Sequence, residues 1–439
     1  MKTKEELKSE INLKLKEYYD LFIKDKNDTS IPVSGKYFDE KEIIAIVDAA
    51  LDCWWTEGKV TFNFERSMKQ YLNIKHVIVV NSGSSANLLA LKALTSPKLG
   101  EKKLNLGDEV ISVATAFPTT VNPIIQCGCV PVFCDVDLDT YNINVEQLKK
   151  AISPKTKAVF LAHTLGNPFN LTEVKKICED NNLWLIEDCC DALGSKYDGQ
   201  LVSSFGDIAT FSFYPAHHIT MGEGGALVTN NDLLAKIITS MRDWGRDCWC
   251  KTGHDNSCGK RYSQQFGDLP YGYDHKYVYS ELGYNLKNTD LNVAIGLAQM
   301  DKLEYFIDKR KENFKLLFEG LSKFQDYFYL PKAEFNSEPS WFGFLITLKE
   351  SCKFKREELL KYLTNNKIGT RLLFSGNITK QPYFIDNPPT YRLVENLEKT
   401  DYIMNNTFWI GVAPLITKGD IDYIIKKISL FLDENNPKS

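Results

Sequence analysis

No apolar run in this chain approaches the roughly 18 residues of a membrane span. The N-terminus, MKTKEELKSEINLKLKEYYDLFIKD, breaks its apolar residues with charges at helical spacing and so lacks the h-region of a secretory signal. Both absences point to a cytoplasmic protein. A basic surplus is missing too: 53 Lys and Arg stand against 57 Asp and Glu, a net charge of -4, whereas a nucleic-acid binder shows a basic excess or stripe. Gly and Pro are scattered, with no repeat and no low-complexity tract. What the chain has is length, 439 residues at 43% hydrophobic and 25% charged, enough for one large core and a smaller second one. It also has 11 cysteines, which a reducing compartment would not use as disulfides.

Short β-rich runs alternate with helical stretches through the first half. HVIVV (76–80) leads into NSGSSANLLALKAL, DEVISV (108–113) into AFPTTVNPIIQCG, and KAVFLAH (157–163) into LTEVKKICEDN, followed by LWLIEDCC (183–190). Apolar strands alternating with helices predict an α/β fold whose mostly parallel sheet is covered on both faces, with ligands bound beyond the carboxyl ends of its strands. An amphipathic helix is expected from about Glu40 to Cys53, and one long helical stretch from about Asp290 to Leu321. The organisation reads as an N-terminal helical arm (1–35), a large domain (36–321) with a Cys-rich loop (242–276), and a small C-terminal α+β domain (322–439).

Three segments at expected strand ends carry chemistry. Gly83, Ser84 and Ser85 open a helix after a strand, where backbone N–H groups and hydroxyls suit an anion, although a plain helix cap uses the same residues. No Gly-Lys-Ser/Thr of the Walker type accompanies them. Asp188 ends the strand LWLIED, placed either to pair with a protonated ring nitrogen or to cap a helix. The segment FSFYPAHHITMGEGGALVTN ends a strand in a loop holding His217 and His218, then returns through Gly222, Gly224 and Gly225.

With TAFPTT around Phe117 and GYNLKNTDLNVAIGLAQ from Gly283, these segments resemble the DegT/DnrJ/EryC1/StrS sugar aminotransferases, a branch of the fold-type I pyridoxal phosphate enzymes. The family pattern is Ser-Phe, a few residues, a lysine, then Ile-Thr and Glu-Gly-Gly, and the resemblance runs from about residue 36 to the end. It implies a large domain with a seven-stranded type of sheet and a smaller C-terminal domain. Gly83, Ser84, Ser85 and Ser212 would hold the cofactor phosphate, Phe117 would stack on the pyridine ring, and Asp188 would pair with its nitrogen. Asn285 would reach the phosphate of a neighbouring subunit, implying a homodimer. Asp191 stands where the family usually has Gln near the ring hydroxyl.

His217 occupies the lysine position, and no lysine lies between Lys196 and Lys236. Imidazole cannot form the internal Schiff base that ties pyridoxal phosphate to an enzyme, but it moves protons near neutral pH. This fits pyridoxamine 5'-phosphate condensing with a keto-sugar, with proton removal expelling a neighbouring hydroxyl: dehydration rather than amino transfer. A catalytically dead binding scaffold is the bland alternative.

Cys190, Cys248, Cys250 and Cys258 form a second constellation, with 57, one and seven residues between successive members. Four thiolates can hold a 2Fe-2S cluster or zinc, although the spacing is not that of a zinc finger. Cys53, Cys127, Cys129, Cys134, Cys178, Cys189 and Cys352 read as core filler. Together the histidine and the four cysteines are similar to the iron-sulfur branch of the family, which deoxygenates CDP-4-keto-6-deoxyglucose at C3 using electrons from an NADH-dependent flavin- and iron-sulfur-containing reductase. Because Asp188 and Cys190 would share one side of an extended segment, a cluster on Cys190 is expected close to the ring. Arg371, Lys287 and His218 are weaker candidates for a diphosphate. His163 is a pocket or structural residue, and His254 is expected to face solvent.

Overall fold

The computed structural model describes residues 1–24, 30–248, 250 and 252–435. Its frame is an eight-stranded sheet in the order His76–Val80, Gly225–Thr229, Ile208–Ser212, Trp184–Asp188, Thr156–Ala162, Glu109–Val113, Val130–Cys134 and Arg392–Leu393. Only Gly225–Thr229 runs antiparallel to its neighbours; the remaining pairs are parallel. The expected seven-stranded core is present, and the two-residue Arg392–Leu393 extends it at one edge.

The near-continuous apolar runs reflect burial on both faces. Val77, Val79, Val159 and Leu161 feed one core cluster while Ile78, Val80, Ala158 and Phe160 feed the cluster on the opposite face, the period-2 alternation of extended chain. A third cluster fills the C-terminal part, where an antiparallel sheet of Phe328–Tyr329, Gly343–Leu348, Thr407–Gly411 and Thr370–Arg371 packs against the helices Leu303–Leu321 and Lys418–Asn435. Among the described residues no helix is long and apolar enough to cross a membrane.

Two expectations are corrected. The long helical stretch is two helices, Asp290–Met300 and Leu303–Leu321, broken at Lys302. Lys302 turns its ammonium to Asp39 and Glu42 at 2.8 and 2.6 Å. The early helix ends at Leu51, short of Cys53. Cys53 follows in the left-handed region at φ 56° and is exposed rather than core filler.

Candidate active site

A cleft of about 500 Å³ opens at the carboxyl ends of the central strands, lined by Gly83, Ser84, Phe117, Asp188, Cys190, Asp191, Ser212 and His217 from the large sheet's side. Phe342, Arg371, Phe374 and Trp409 close it from the C-terminal side. The sheet places these groups together because successive parallel strands end on the same side.

Asp188 ends its strand buried, and its carboxylate is fully engaged. One oxygen accepts from Asn87 Nδ2 and Thr120 Oγ1, both at 2.8 Å, and the other from the backbone N–H of Cys190 at 3.1 Å. Asn87 is fixed in turn by accepting from Thr210 Oγ1 at 2.6 Å. This network holds a charged acceptor rigidly at the cleft floor, where a protonated ring nitrogen could meet it. Asn87 and Thr120 escaped the sequence reading. Asn87 lies four residues after Gly83 on the same helix, which was the available signal.

Gly83 sits so close to the strand Ile208–Ser212 that a Cβ would overlap the side chain of Ser212. The bare backbone there brings the first N–H groups of the helix Gly83–Ala93 beside Ser212, a cradle suited to a phosphate. Ser84 is exposed into the cleft. Ser85 differs from expectation: it does not line the cleft, because its hydroxyl donates to Asn81 Oδ1 at 2.7 Å while Ser82 caps the helix.

His217 lines the opposite wall, and no lysine lines the cleft among the described residues. Its Nδ1 lies 3.3 Å from Asp191 Oδ1, its ring tilts against Phe342 at 5.2 Å, and its carbonyl accepts from the buried Arg310 at 3.5 Å. Burial pushes the Asp191 carboxyl above its ordinary value, while His217 and Arg310 oppose the shift. Burial also lowers Arg310, to about 10, with Asp191 opposing. Phe117 projects from the cleft wall, 52% exposed and edge-on to Phe374 at 6.4 Å.

The weaker candidates separate. Arg371 lines the rim. His163 is fully buried in the floor, stacked on Phe169 and 3.2 Å from Glu187, which is the structural reading. His218 is turned away from the cleft and bonds Ser340 through Nε2. Burial, reinforced by Arg310, holds its pKa well below the ordinary value, so a diphosphate would meet no imidazolium there. Lys287 lies over the Trp244 ring at 3.6 Å, outside the cleft. Asn285 is exposed outside the cleft, bridged to Asp243. His254 faces solvent as expected.

The cysteines also divide. Cys248, Cys250 and Cys258 line a separate cavity of about 200 Å³, whereas Cys190 opens into the cleft, so the expected set of four does not converge within one chain. Burial works to raise the Cys250 thiol, but interactions with Ser257, Cys248 and Cys258 outweigh it and bring it down to about 7, while burial raises the neighbouring Cys248. Burial holds Cys134 and Cys178 up at about 12, the state of inert core thiols. Cys190 is likewise raised by burial and then by Asp188.

The frame is shared with known proteins. The chain is 56% identical over 405 residues to the lipopolysaccharide biosynthesis protein RfbH of Salmonella typhimurium, covering 92% of each. It is 49% identical over 408 residues to dTDP-4-dehydro-2,6-dideoxy-D-glucose 3-dehydratase of Saccharopolyspora spinosa, covering 93% of this chain and 88% of that protein. The solved E. coli GDP-4-keto-6-deoxy-D-mannose-3-dehydratase with bound hydrated PLP superposes at a TM-score of 0.80 and 30% identity, covering 90% of this chain and 98% of that one. The model of the DegT/DnrJ/EryC1/StrS aminotransferase family matches residues 37–429, and with the cleft at the strand ends of the matching fold the chain belongs to that family.

Proposed function

We propose that this protein removes the C3 hydroxyl of a nucleotide-linked 4-keto-6-deoxyhexose, using pyridoxamine 5'-phosphate. The observation that carries the reading is His217 in a cleft without lysine, facing the rigidly held Asp188. The substrate class follows the relatives named for dTDP- and GDP-linked sugars, and the CDP-linked sugar is the form implied by the sequence resemblance.

The residues present fit the cofactor. The Gly83 and Ser212 cradle with Ser84 suits its phosphate, Phe117 offers a ring face, and Asp188 offers the buried carboxylate. When bound, the cofactor would supply an amine to engage the sugar's keto group and a ring to accept negative charge. The rest falls to the chain. Asp188 would keep the ring nitrogen protonated by charge. His217, with Nδ1 toward Asp191, would take a proton at Nε2 and return it to the departing hydroxyl. Asp191 and Arg310 would fix the ring and backbone of His217 respectively. Phe342 and Trp409 would limit water at the reacting face. Arg371 at the rim would meet the diphosphate. Asn285 would serve the cleft of a second subunit in a homodimer.

The cysteine chemistry fits a 2Fe-2S cluster, but their placement within one chain does not, since Cys248, Cys250 and Cys258 line one cavity and Cys190 opens into another. No step is therefore assigned to a cluster, and the NADH-dependent reductase stays tied to that reading. The separation of Cys190 favours a second reading, a dehydratase that works without a cluster.

The test is incubation with pyridoxamine phosphate and CDP-, dTDP- and GDP-linked 4-keto-6-deoxyhexoses, with mass spectrometry of the sugar and iron analysis of anaerobically purified protein. Loss of the C3 hydroxyl, strongest with the CDP-linked sugar, is expected. A sugar aminated at C4 with its C3 hydroxyl intact would contradict the reading.

A further inference from the structure

Three glycines cross the small C-terminal sheet in a row. Gly343 pairs with Gly411, and the register Thr370–Ile410, Arg371–Trp409 brings Gly369 alongside Gly411 on its other side. Side chains two apart on a strand share a face. Arg371 and Trp409 therefore rise from the same face as Gly369 and Gly411, one rung along, and both line the cleft. The bare row leaves a shallow groove that two features fill. The Trp409 indole lies over Gly343, where a Cβ would overlap the ring. The segment Ile31–Gly35 lies across the other two. A Cβ on Gly369 would come 2.8 Å from the backbone nitrogen of Val33, and one on Gly411 2.5 Å from its carbonyl oxygen.

This strap is pinned as an added edge strand. The N–H of Ile31 donates to the carbonyl of Lys367 at 2.9 Å, and its carbonyl accepts from Gly369 at 2.8 Å, a parallel bridge centred on Ile368. Val33 is buried in the core. Because the strap runs parallel from Ile31 beside Ile368, Ser34 comes level with Arg371 three residues on, and both line the cleft. Among the described residues the Ser34 hydroxyl has no hydrogen-bond partner and Arg371 pairs with no carboxylate. Arg371 gives one donor to the carbonyl of Thr370 at 2.9 Å and keeps the rest of its fork. A guanidinium and a hydroxyl side by side, both with donors to spare, suit the oxygens of one anion.

We propose that Ser34 is a substrate-binding residue, its hydroxyl donating to the diphosphate that Arg371 faces. This rests on the reading of the substrate as a nucleotide-linked sugar. The neighbouring charge favours the diphosphate over a hexose hydroxyl, because a neutral donor beside a guanidinium meets the group that the guanidinium attracts. The glycine row makes the contact possible: a side chain at Gly369 or Gly411 would lift the strap and withdraw Ser34 from the cleft. The segment that follows the N-terminal arm is thereby part of the substrate wall.

The experiment titrates CDP, dTDP and GDP into the full chain loaded with pyridoxamine phosphate and reads affinity by calorimetry, with no turnover. Ser34→Ala and Ser34→Val are expected to weaken the nucleoside diphosphate that wild type binds best by about tenfold, the scale of one hydrogen bond to a charged group. Ser34→Thr keeps the hydroxyl on the shape of valine and should stay within about twofold of wild type, less than the worth of one such bond. Unchanged affinity in Ser34→Ala would overturn the proposal. So would equal losses in the Thr and Val variants, which would make side-chain size the cause. A raised KM for the 4-keto-sugar with unchanged nucleoside diphosphate affinity would move the hydroxyl to the hexose and overturn it as well. A wild type that binds none of the three nucleoside diphosphates would overturn the substrate reading itself, and the proposal with it.

Discussion

The cleft and the cysteine loop stand on the same frame and are finished to different degrees. In the cleft, Asp188 accepts from Asn87, Thr120 and the backbone of Cys190, and the Asn87 side chain is itself held by Thr210. Each group is positioned by a strand or helix whose ends the sheet dictates. In the loop, Cys248, Cys250 and Cys258 line a small separate cavity, and the surrounding tyrosines face outward. The contrast is between a carboxylate held by bonds from three sides and thiols that share a small cavity apart from Cys190.

The largest effect that sharpens this comparison lies at the cleft floor. Asp188→Asn is expected to lower turnover by about 10²–10³-fold, the scale of losing one electrostatic contact in a reacting site, while iron uptake measured on the same sample stays unchanged. Under the cluster reading Cys250→Ser should do the reverse, abolishing iron and leaving the bound cofactor's absorption unaltered. The loop root comes next. Arg242→Leu leaves Glu57 buried without its partner and should cost about 3–5 kcal/mol in denaturant unfolding; a loss under about 1 kcal/mol would mean that the loop is not anchored as described. Asn87→Ala removes one donor from a buried carboxylate, an expected cost of about 1–3 kcal/mol, together with weaker cofactor binding read by equilibrium dialysis.

The smallest effect is a pH dependence beneath the loop. Burial raises the Glu65 carboxyl from 4.5 to about 7, Arg242 opposing and Glu57 assisting. The folded chain therefore binds more protons than the unfolded chain between those values, and stability falls as pH rises through that window. Glu65→Gln removes the fall. The variant's advantage over wild type should grow as pH rises from 4.5 to about 7 and disappear below 4.5. Parallel unfolding curves at every pH would contradict this.

Much of the frame was legible in the sequence because strands buried on both faces must be apolar throughout, as in HVIVV and KAVFLAH. Asp188 was legible because it ends such a strand, and His217 because it lies in the short loop after one. Asn87 and Thr120 were not, since their bonds to Asp188 span 101 and 68 residues and no local pattern announces them. Ser85 was misplaced because a helix start turns successive side chains to different sides, and of the three only Gly83 and Ser84 line the cleft. His218 and Lys287 were misjudged because residue type suggests an anion partner, whereas burial against Ser340 and the Trp244 ring decides where they point. The four cysteines illustrate the limit most clearly: their spacing describes a set, not a place.

The central claim is that His217 moves the proton that an aminotransferase would hand to its lysine. It is tested most directly by loading wild type and His217→Asn with pyridoxamine phosphate, adding the nucleotide-linked 4-keto-sugar in heavy water, and following the cofactor's C4′ hydrogens by mass spectrometry. Substrate-dependent exchange in wild type, falling by about 10²–10⁴-fold in the variant with the cofactor still bound, is the predicted result. Undiminished exchange in His217→Asn would contradict it.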